Sequence, residues 1–227
     1  MTSVRVALSS ATVAAALAAA AIPAAGWAAH SVVWHRRLAE ASRDKLTGAL
    51  RREAWEPRIQ RFIDRYGDNA LVLVCDVDHF KDFNTDFGHH VGDLVLKDTA
   101  ARLTAWAGRH GIVGRMGGDG GDEFVVCTWV GAGRRTLRLD QLSRALSEPI
   151  DTGNCQFVDV AVSIGAAAPD VIGSRDRSRL QRAADVAMYA GKHSGHAVQA
   201  TRAHADVVSI NGRRPGRNGT HAGPEAA

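Results

Sequence analysis

Residues 70–79 have the sequence ALVLVCDVDH and residues 112–129 have the sequence IVGRMGGDGGDEFVVCTW, and these two stretches decide the fold. The first is a nearly unbroken apolar run that ends in acids, which is typical of a buried central strand. In the second, short strands at 112–116 and 123–129 flank a Gly/Asp segment. Because glycine permits the positive backbone angles of tight turns, this pattern predicts a hairpin.

Acidic residues at the ends of these strands are the candidate chemical groups. Side chains alternate along a strand, so Asp76 and Asp78 face the same way. Buried acids are costly unless a cation or a donor meets them, and a hard ion such as Mg²⁺ is the natural partner. The alternative for Asp78 is a helix N-cap. With Asp122 and Glu123 just past the hairpin, the pattern predicts a metal site for phosphoryl chemistry.

The segments around these strands predict the rest of the fold. Periodicity predicts helices at 92–110, 136–146 and 177–192, and alternation predicts a further strand at 157–164. This order predicts an α/β (α+β) domain over residues 44–200, with one central mixed sheet flanked by helices.

The flanking segments have different patterns. Residues 31–43 form a predicted helical linker whose apolar periodicity continues to Glu53. This helix either pairs with a partner chain or is a solvated connector. Residues 201–227 lack a packing pattern and are predicted to be a disordered tail.

An uncharged, alanine-rich stretch covers residues 6–29. A helix of that length can span a bilayer, so residues 1–30 are predicted to be a single-pass signal anchor in the inner (cytoplasmic) membrane. Basic residues after it favour a cytoplasmic main domain: Arg36, Arg37, Arg43 and Lys45. A cleaved signal peptide and a soluble or peripheral helix are the alternatives.

Composition excludes several functional classes. The formal charge of +4 is modest, and no basic recognition helix or aromatic stacking pattern accompanies it, so no nucleic-acid partner is expected. The three cysteines, Cys75, Cys127 and Cys155, lie in apolar runs. They form no Cys/His cluster of zinc-site spacing, and reduced, buried thiols fit them best.

Six motifs, in order, resemble the GGDEF family of diguanylate cyclases over residues 44–197. They are Asp44-Lys45-Leu46-Thr47-Gly48, Asp76 to Lys81, Asn84 to Asp93, Gly120-Gly121-Asp122-Glu123-Phe124, Ser163-Ile164-Gly165, and Ala184 to Tyr189. The resemblance implies a palm-like GGDEF domain similar to nucleotidyl cyclases and some polymerases. It also implies that two GTP-loaded domains face each other as a homodimer and form cyclic di-GMP and pyrophosphate.

The resemblance also implies roles for residues at matching positions. Mg²⁺, with Mn²⁺ as an alternative ion, is expected at Asp76, the Val77 carbonyl and Asp122, with Glu123 beside them. Asn84 and Asp93 are expected to bind the guanine edge. The triphosphate is expected to contact the amides around His79 and Phe80, together with Lys81 and Lys192. Asp122, Glu123 and Lys81 are the expected catalytic residues.

The chain departs from the family pattern in one important place. An extra Gly-Gly-Asp, residues 117–119, precedes the five-residue signature. Arg115 keeps the family's spacing to Gly117 rather than to Gly120. Two registers follow: either the loop bulges and Asp122 and Glu123 keep their places, or the strand re-pairs and Asp119 competes for the metal. The alternative function is therefore an inactive GGDEF domain that binds GTP or a protein as a regulator.

Overall fold

The computed structural model describes residues 27, 30–34, 37–38, 40–117, 121–153, 156–192 and 194–207. It contains two compact units, residues 1–43 and 44–227. In the first unit, residues 30–34 are helical, and Trp34 and Leu38 are exposed. The predicted anchor lies outside the described residues except for Trp27 and His30. Among the described residues, no helix is both long and apolar enough to cross a membrane.

The second unit is built from seven strands and seven α-helices within its described residues. In chain order they are α1 (Arg52–Tyr66), β1 (Ala70–Val77), α2 (Phe80–Phe87), α3 (His89–Ala107), β2 (Ile112–Met116), β3 (Glu123–Trp129), α4 (Arg135–Leu146), β4 (Ile150–Gly153), β5 (Gln156–Val158), β6 (Val162–Ala167), α5 (Pro169–Ile172), α6 (Arg177–Ala190), β7 (Val198–Gln199) and α7 (Arg202–Ala205).

The central sheet has five strands in the order β2-β3-β1-β6-β7. Only the β6–β7 pair is parallel, and β4 and β5 form a separate two-stranded sheet. The predicted mixed sheet flanked by helices is therefore confirmed.

Strand β1 is the centre of the sheet, and all eight of its residues are buried. Side chains of alternate residues enter opposite cores. Leu71, Leu73 and Cys75 pack on one side with residues of α3 and α4. Val72 and Val74 pack on the other side with residues of α1 and α6. Because both faces are covered, apolar residues fill every position until Asp76.

Helix α1 was missed by the sequence interpretation, which continued the linker helix only to Glu53. Its buried residues, Trp55, Ile59, Phe62 and Ile63, follow helical spacing. The linker periodicity does not continue into α1. A turn at residues 45–47 and Gly48, whose φ is +70°, interrupts it.

The segment before α1 covers the outer edge of β2. Leu50 forms a parallel bridge with Gly114. Its N–H donates to the Val113 carbonyl at 2.9 Å, and its carbonyl accepts from the Arg115 N–H at 2.9 Å. The free side of this edge strand is therefore partly paired by the chain itself.

Two further expectations require correction. The strand expected at 157–164 is two strands, β5 and β6, because residues 159–161 leave the first pairing before the chain joins β1. Residues 201–207, expected to belong to a disordered tail, include helix α7, whose Ala205 is buried. Thr201 caps this helix, which explains its order. Residues 208–227 lie outside the described residues.

Candidate functional site

Three carboxylates surround one lysine at the end of β1, and we call Asp76, Asp78, Asp122 and Lys192 the acidic cluster. Lys192 Nζ lies 2.6 Å from Asp76 Oδ2 and 3.8 Å from Asp78 Oδ1. The side chains of Asp76 and Asp78 are only 11% and 5% exposed. Two acids two residues apart on the strand therefore face the same cation, as their spacing predicted.

Burial alone would lower the pKa of Lys192. The hydrogen bond to Asp76 and the negative charges of Asp76, Asp78 and Asp122 outweigh burial and raise the pKa above its usual value. The lysine is therefore a cation throughout the neutral range, and its charge offsets part of the cost of placing these acids together.

Strand pairing in the sheet determines which polar groups lie beside the acidic cluster. Asp76 is directly opposite Glu123 of β3 and Ser163 of β6. Side chains of directly opposite residues project from the same face, so all three lie on the face of Asp76. The Ser163 hydroxyl lies 2.8 and 3.0 Å from the two Asp78 carboxylate oxygens. This serine contact holds Asp78 in the sheet and disfavours its alternative as a helix cap.

Helix α6 brings Lys192 to the cluster because it packs unusually close to β6. A Cβ on Gly165 would lie 2.0 Å from the Ala184 carbonyl oxygen and 2.3 Å from the Met188 nitrogen. Only glycine allows this approach. Helix α6 ends at Ala190, two residues before Lys192.

The hairpin between β2 and β3 has the register of the bulged-loop alternative. Arg115 pairs with Phe124 and Met116 pairs with Glu123, so strand β3 begins within the intact signature. The Val77 N–H donates to the Asp122 carbonyl at 3.2 Å. Asp122 and Glu123 therefore stand beside β1, whereas Gly118, Asp119 and Gly120 lie outside the described residues.

A buried ion pair supports the same hairpin from behind. The Arg115 guanidinium donates to Asp44 Oδ1 at 2.9 Å and, through Nε, to the Gly121 carbonyl at 2.8 Å. Burial tends to raise the pKa of Asp44, but hydrogen bonds from Thr47 and the ion pair with Arg115 outweigh it and lower the pKa. The first motif of the domain is thus tied to the residue before Asp122.

A cavity of about 470 Å³, which we call the α2–α3 cavity, adjoins the acidic cluster. Its lining residues come from α2, the start of α3 and the hairpin: Phe80, Lys81, Asn84, Thr85, His89 and Asp122. Asp122 is the residue shared by the cavity and the cluster.

Asn84 has an unusual environment in this cavity. Its Oδ1 atom is buried and lacks a hydrogen-bond partner in the described structure. A Cβ on Gly92 would lie 1.8 Å from this oxygen, so glycine leaves room for the amide side chain. A buried acceptor without a partner is costly, and it fits a site that a ligand's donor completes.

The backbone at the start of α2 is also unusual. His79 has φ of +54° and ψ of +28°, which is the left-handed region and uncommon for a residue other than glycine. Helix α2 begins directly after the turn at His79, so the N–H groups of its first residues have no partner within the helix. Such N–H groups at a helix start attract anions.

Most of the predicted site residues converge, although their individual roles stay predictions. Asp76, Val77 and Asp122 meet at the end of β1, with Glu123 on the same face. Phe80, Lys81 and Asn84 line the cavity. Asp93 is exposed near the start of α3 and does not line it.

Sequence reasoning gave no role to three residues that the structure brings into the site. Thr85 and His89 line the cavity, and Ser163 holds Asp78. Thr85 lies four residues after Lys81 on α2, so helical spacing could have identified it. His89 begins α3, and only the packing of the two helices brings it to the cavity. Ser163 lies in the Ser163-Ile164-Gly165 motif, but strand register determines that its partner is Asp78.

The donor set at the end of β1 suits a hard divalent cation. Asp76, Asp122 and the Val77 carbonyl offer oxygen ligands, which Mg²⁺ and Mn²⁺ prefer. The cluster already holds one positive charge on Lys192. Among the described residues, no three His, Cys, Asp or Glu side chains are close enough to form a complete metal cage.

The two described cysteines have no part in this site. Burial is the main cause that raises the pKa of the Cys75 thiol to about 12, and burial also raises that of Cys127. Both are free thiols in the core, as expected, and Cys155 lies outside the described residues.

Comparison with known proteins identifies the family. The family model described as diguanylate cyclase, GGDEF domain, matches residues 41–197. The chain therefore belongs to the GGDEF family of diguanylate cyclases, and the predicted family and enzyme class are confirmed.

Two relatives illustrate the relationship. An uncharacterised 19.3 kDa protein of Streptomyces ambofaciens is 41% identical over 175 residues, covering 77% of this chain and 91% of that protein. The probable diguanylate cyclase DgcC of Escherichia coli K12 is 30% identical, covering 75% of this chain and 47% of that protein. The chain thus corresponds to about half of DgcC.

The solved structure of the isolated GGDEF domain of Pseudomonas aeruginosa TpbB is 28% identical and superposes with a TM-score of 0.62. The match covers 71% of this chain and 96% of that domain. The palm-like fold expected from the sequence is therefore confirmed.

Proposed function

We propose that this protein condenses two molecules of GTP into cyclic di-GMP and pyrophosphate. The observation that carries the proposal is the junction at Asp122, where a cluster of acids meets a cavity of nucleotide size. The register through Met116 and Glu123 supports it further, because the signature acids follow the loop without a shift.

The cavity residues bind and orient the nucleotide in this proposal. Asn84 presents a buried, unpaired carbonyl oxygen to the guanine edge, where a ring N–H or amino group completes its hydrogen bonding. Lys81 and the amides after His79 lie at the start of α2 and contact the phosphates. Asp93, exposed near the start of α3, is the second residue proposed to bind the guanine edge.

Asp76, Asp122 and the Val77 carbonyl would hold Mg²⁺, or Mn²⁺, in this site. The bound cation supplies charge neutralisation for the phosphates and acidifies the attacking hydroxyl. Glu123, opposite Asp76 on the same face, is the nearby carboxylate that accepts the proton of the 3′-hydroxyl group.

Two copies of the domain are needed for the complete reaction. Each copy presents one GTP, bound in the α2–α3 cavity beside its acidic cluster. The 3′-hydroxyl group of each GTP attacks the α-phosphorus of the other, so two phosphodiester bonds form and two pyrophosphates leave. A homodimer converts the encounter of two nucleotides into an oriented reaction.

The N-terminal segment is proposed as a single-pass anchor in the inner membrane, with the catalytic domain in the cytoplasm. The uncharged residues 6–29 and the basic residues after them support this proposal. Cytoplasmic placement also supplies GTP. Labelling of single introduced cysteines on either side of residues 6–29 in intact cells tests this topology, and cleavage of residues 1–30 would contradict it.

The first experiment is to incubate the purified full chain with GTP and Mg²⁺ and to detect cyclic di-GMP by mass spectrometry. The parent, Asp76→Asn and a deletion of residues 117–119 are compared. Product from the parent and none from Asp76→Asn supports the cyclase.

The same comparison tests the regulatory alternative. Product only after deletion of residues 117–119 means that the insertion disables an otherwise complete site. The protein is then a GTP-binding regulator, and GTP affinity of the parent, measured by calorimetry, becomes its defining property.

A further inference from the structure

Lys192 is expected to contact the triphosphate, but in the structure it contacts two carboxylates of the acidic cluster. Its ammonium group donates to Asp76 at 2.6 Å and lies 3.8 Å from Asp78. Asp122 adds a third negative charge near it. The acids expected to hold a divalent cation therefore already share a cation that belongs to the protein.

A lysine and a divalent cation compete for the same oxygen atoms. Asp76 Oδ2 is both an expected metal ligand and the acceptor of the Lys192 hydrogen bond. Two positive centres within about 4 Å also repel each other strongly, because the site is largely shielded from solvent.

We propose that Lys192 is an internal counter-cation that opposes divalent-metal binding until a nucleotide triphosphate draws its ammonium group away from Asp76. Metal and nucleotide then bind cooperatively, since each favours the arrangement in which Lys192 contacts phosphate. The release by phosphate rests on the proposed function, whereas the competition at Asp76 does not.

The position of Lys192 suits such an exchange. Its side chain is 30% exposed, so one side of the ammonium group remains accessible. It follows α6 by two residues, in a turn rather than within the helix. A side-chain rotation can therefore move the charge without disturbing the packing of α6 at Gly165.

The test is a Mn²⁺ titration of the full chain without nucleotide, with free Mn²⁺ measured by electron paramagnetic resonance. Lys192→Met removes the charge and keeps the length of the side chain. We expect it to bind Mn²⁺ about tenfold tighter than the parent, because a nearby positive charge is gone. Lys97→Met, at an exposed position on α3, is the charge-matched control and should bind like the parent.

Equal or weaker Mn²⁺ binding by a folded Lys192→Met variant would overturn the inference. Lys192→Gln, which keeps a donor for Asp76, replaces it if the methionine variant does not fold. If Lys192→Met and Lys97→Met increase the Mn²⁺ affinity by the same factor, the inference is also overturned. Such a result would reflect the loss of net positive charge alone.

Cooperativity is measured with 3′-deoxy-GTP, which lacks the attacking hydroxyl group. In the parent, we expect Mn²⁺ to increase the affinity for 3′-deoxy-GTP by a factor about ten times larger than in Lys192→Met. Equal tightening in the two proteins contradicts the coupling. Tighter Mn²⁺ binding by Lys192→Met with no cyclic di-GMP from the parent would uphold the competition and refute the proposed function.

Discussion

The acidic cluster and the α2–α3 cavity share Asp122 but are built in different ways. The cluster is held by strand register, a serine contact and an internal lysine, and its acids on β1 are almost fully buried. The cavity is lined mainly by exposed residues of α2 and α3, and its buried Asn84 oxygen has no partner in the described structure. The difference indicates that the charged centre is preorganised by the fold, whereas the cavity leaves a buried acceptor open to a ligand.

The largest expected effect separates chemistry from nucleotide binding. Asp76→Asn removes a charge from the preorganised cluster and leaves the cavity residues unchanged. We expect cyclic di-GMP formation to fall about 1000-fold, which is typical for loss of one electrostatic group at a reacting centre. Pyrophosphate release at saturating GTP measures it. A loss below about tenfold would mean that the cluster is not the reacting centre.

The next largest effect is expected when the buried ion pair behind the β2–β3 hairpin is removed. Asp44→Asn leaves the buried guanidinium of Arg115 without its counter-ion. We expect the free energy of unfolding to fall by about 3 kcal/mol. Urea denaturation measures it, with Asp64→Asn as the control because the hydrogen bond of Asp64 to Gln60 is exposed. Equal stability of the two variants would contradict a structural role for the buried pair.

A substitution in the cavity should lower GTP affinity without lowering stability. Asn84→Ala removes a buried acceptor that has no partner in the described structure, so stability should stay equal or rise by about 1 kcal/mol. GTP affinity should fall about tenfold, measured by calorimetry. Asn69→Ala, at an exposed position directly before β1 and outside the cavity, is the control. A destabilised Asn84→Ala variant that binds GTP normally would show that Asn84 is a structural residue.

The smallest expected effect concerns pH. Because the folded pKa of Asp44 is lowered, its contribution to stability is complete above its unfolded pKa of about 3.9. The contribution is lost as the pH falls through the folded pKa. The unfolding free energy of the parent should therefore decrease more between pH 5.5 and pH 3 than that of Asp44→Asn. Parallel pH profiles would contradict this linkage.

The same contrast explains how much the sequence could predict. The bounds of β1, β2 and β3 follow from apolar runs bounded by acids and glycines, and the structure has them where the pattern places them. Asp76 lies in β1, and Asp78 and Asp122 lie directly beside the ends of β1 and β3. Local patterns were sufficient here because both faces of the strands are buried.

Features that depend on distant contacts could not be predicted in this way. The contact between Lys192 and Asp76 joins residues 116 positions apart, and it requires α6 to pack against Gly165. Helix α1 was missed because Pro57 and several charges obscure its buried stripe. Strands β5 and β6 were merged because valines continue across the residues between them.

The paired edge of β2 limits how copies of the protein can associate. An open sheet edge can add a strand from another chain and so begin aggregation. Here Leu50 already uses the Val113 carbonyl and the Arg115 N–H on that edge, and β7 at the opposite edge spans only Val198–Gln199. Neither the β2 edge nor the β7 edge of the central sheet therefore readily adds a strand from another copy. Two copies can approach through helices and loops without forming continuous intermolecular sheets.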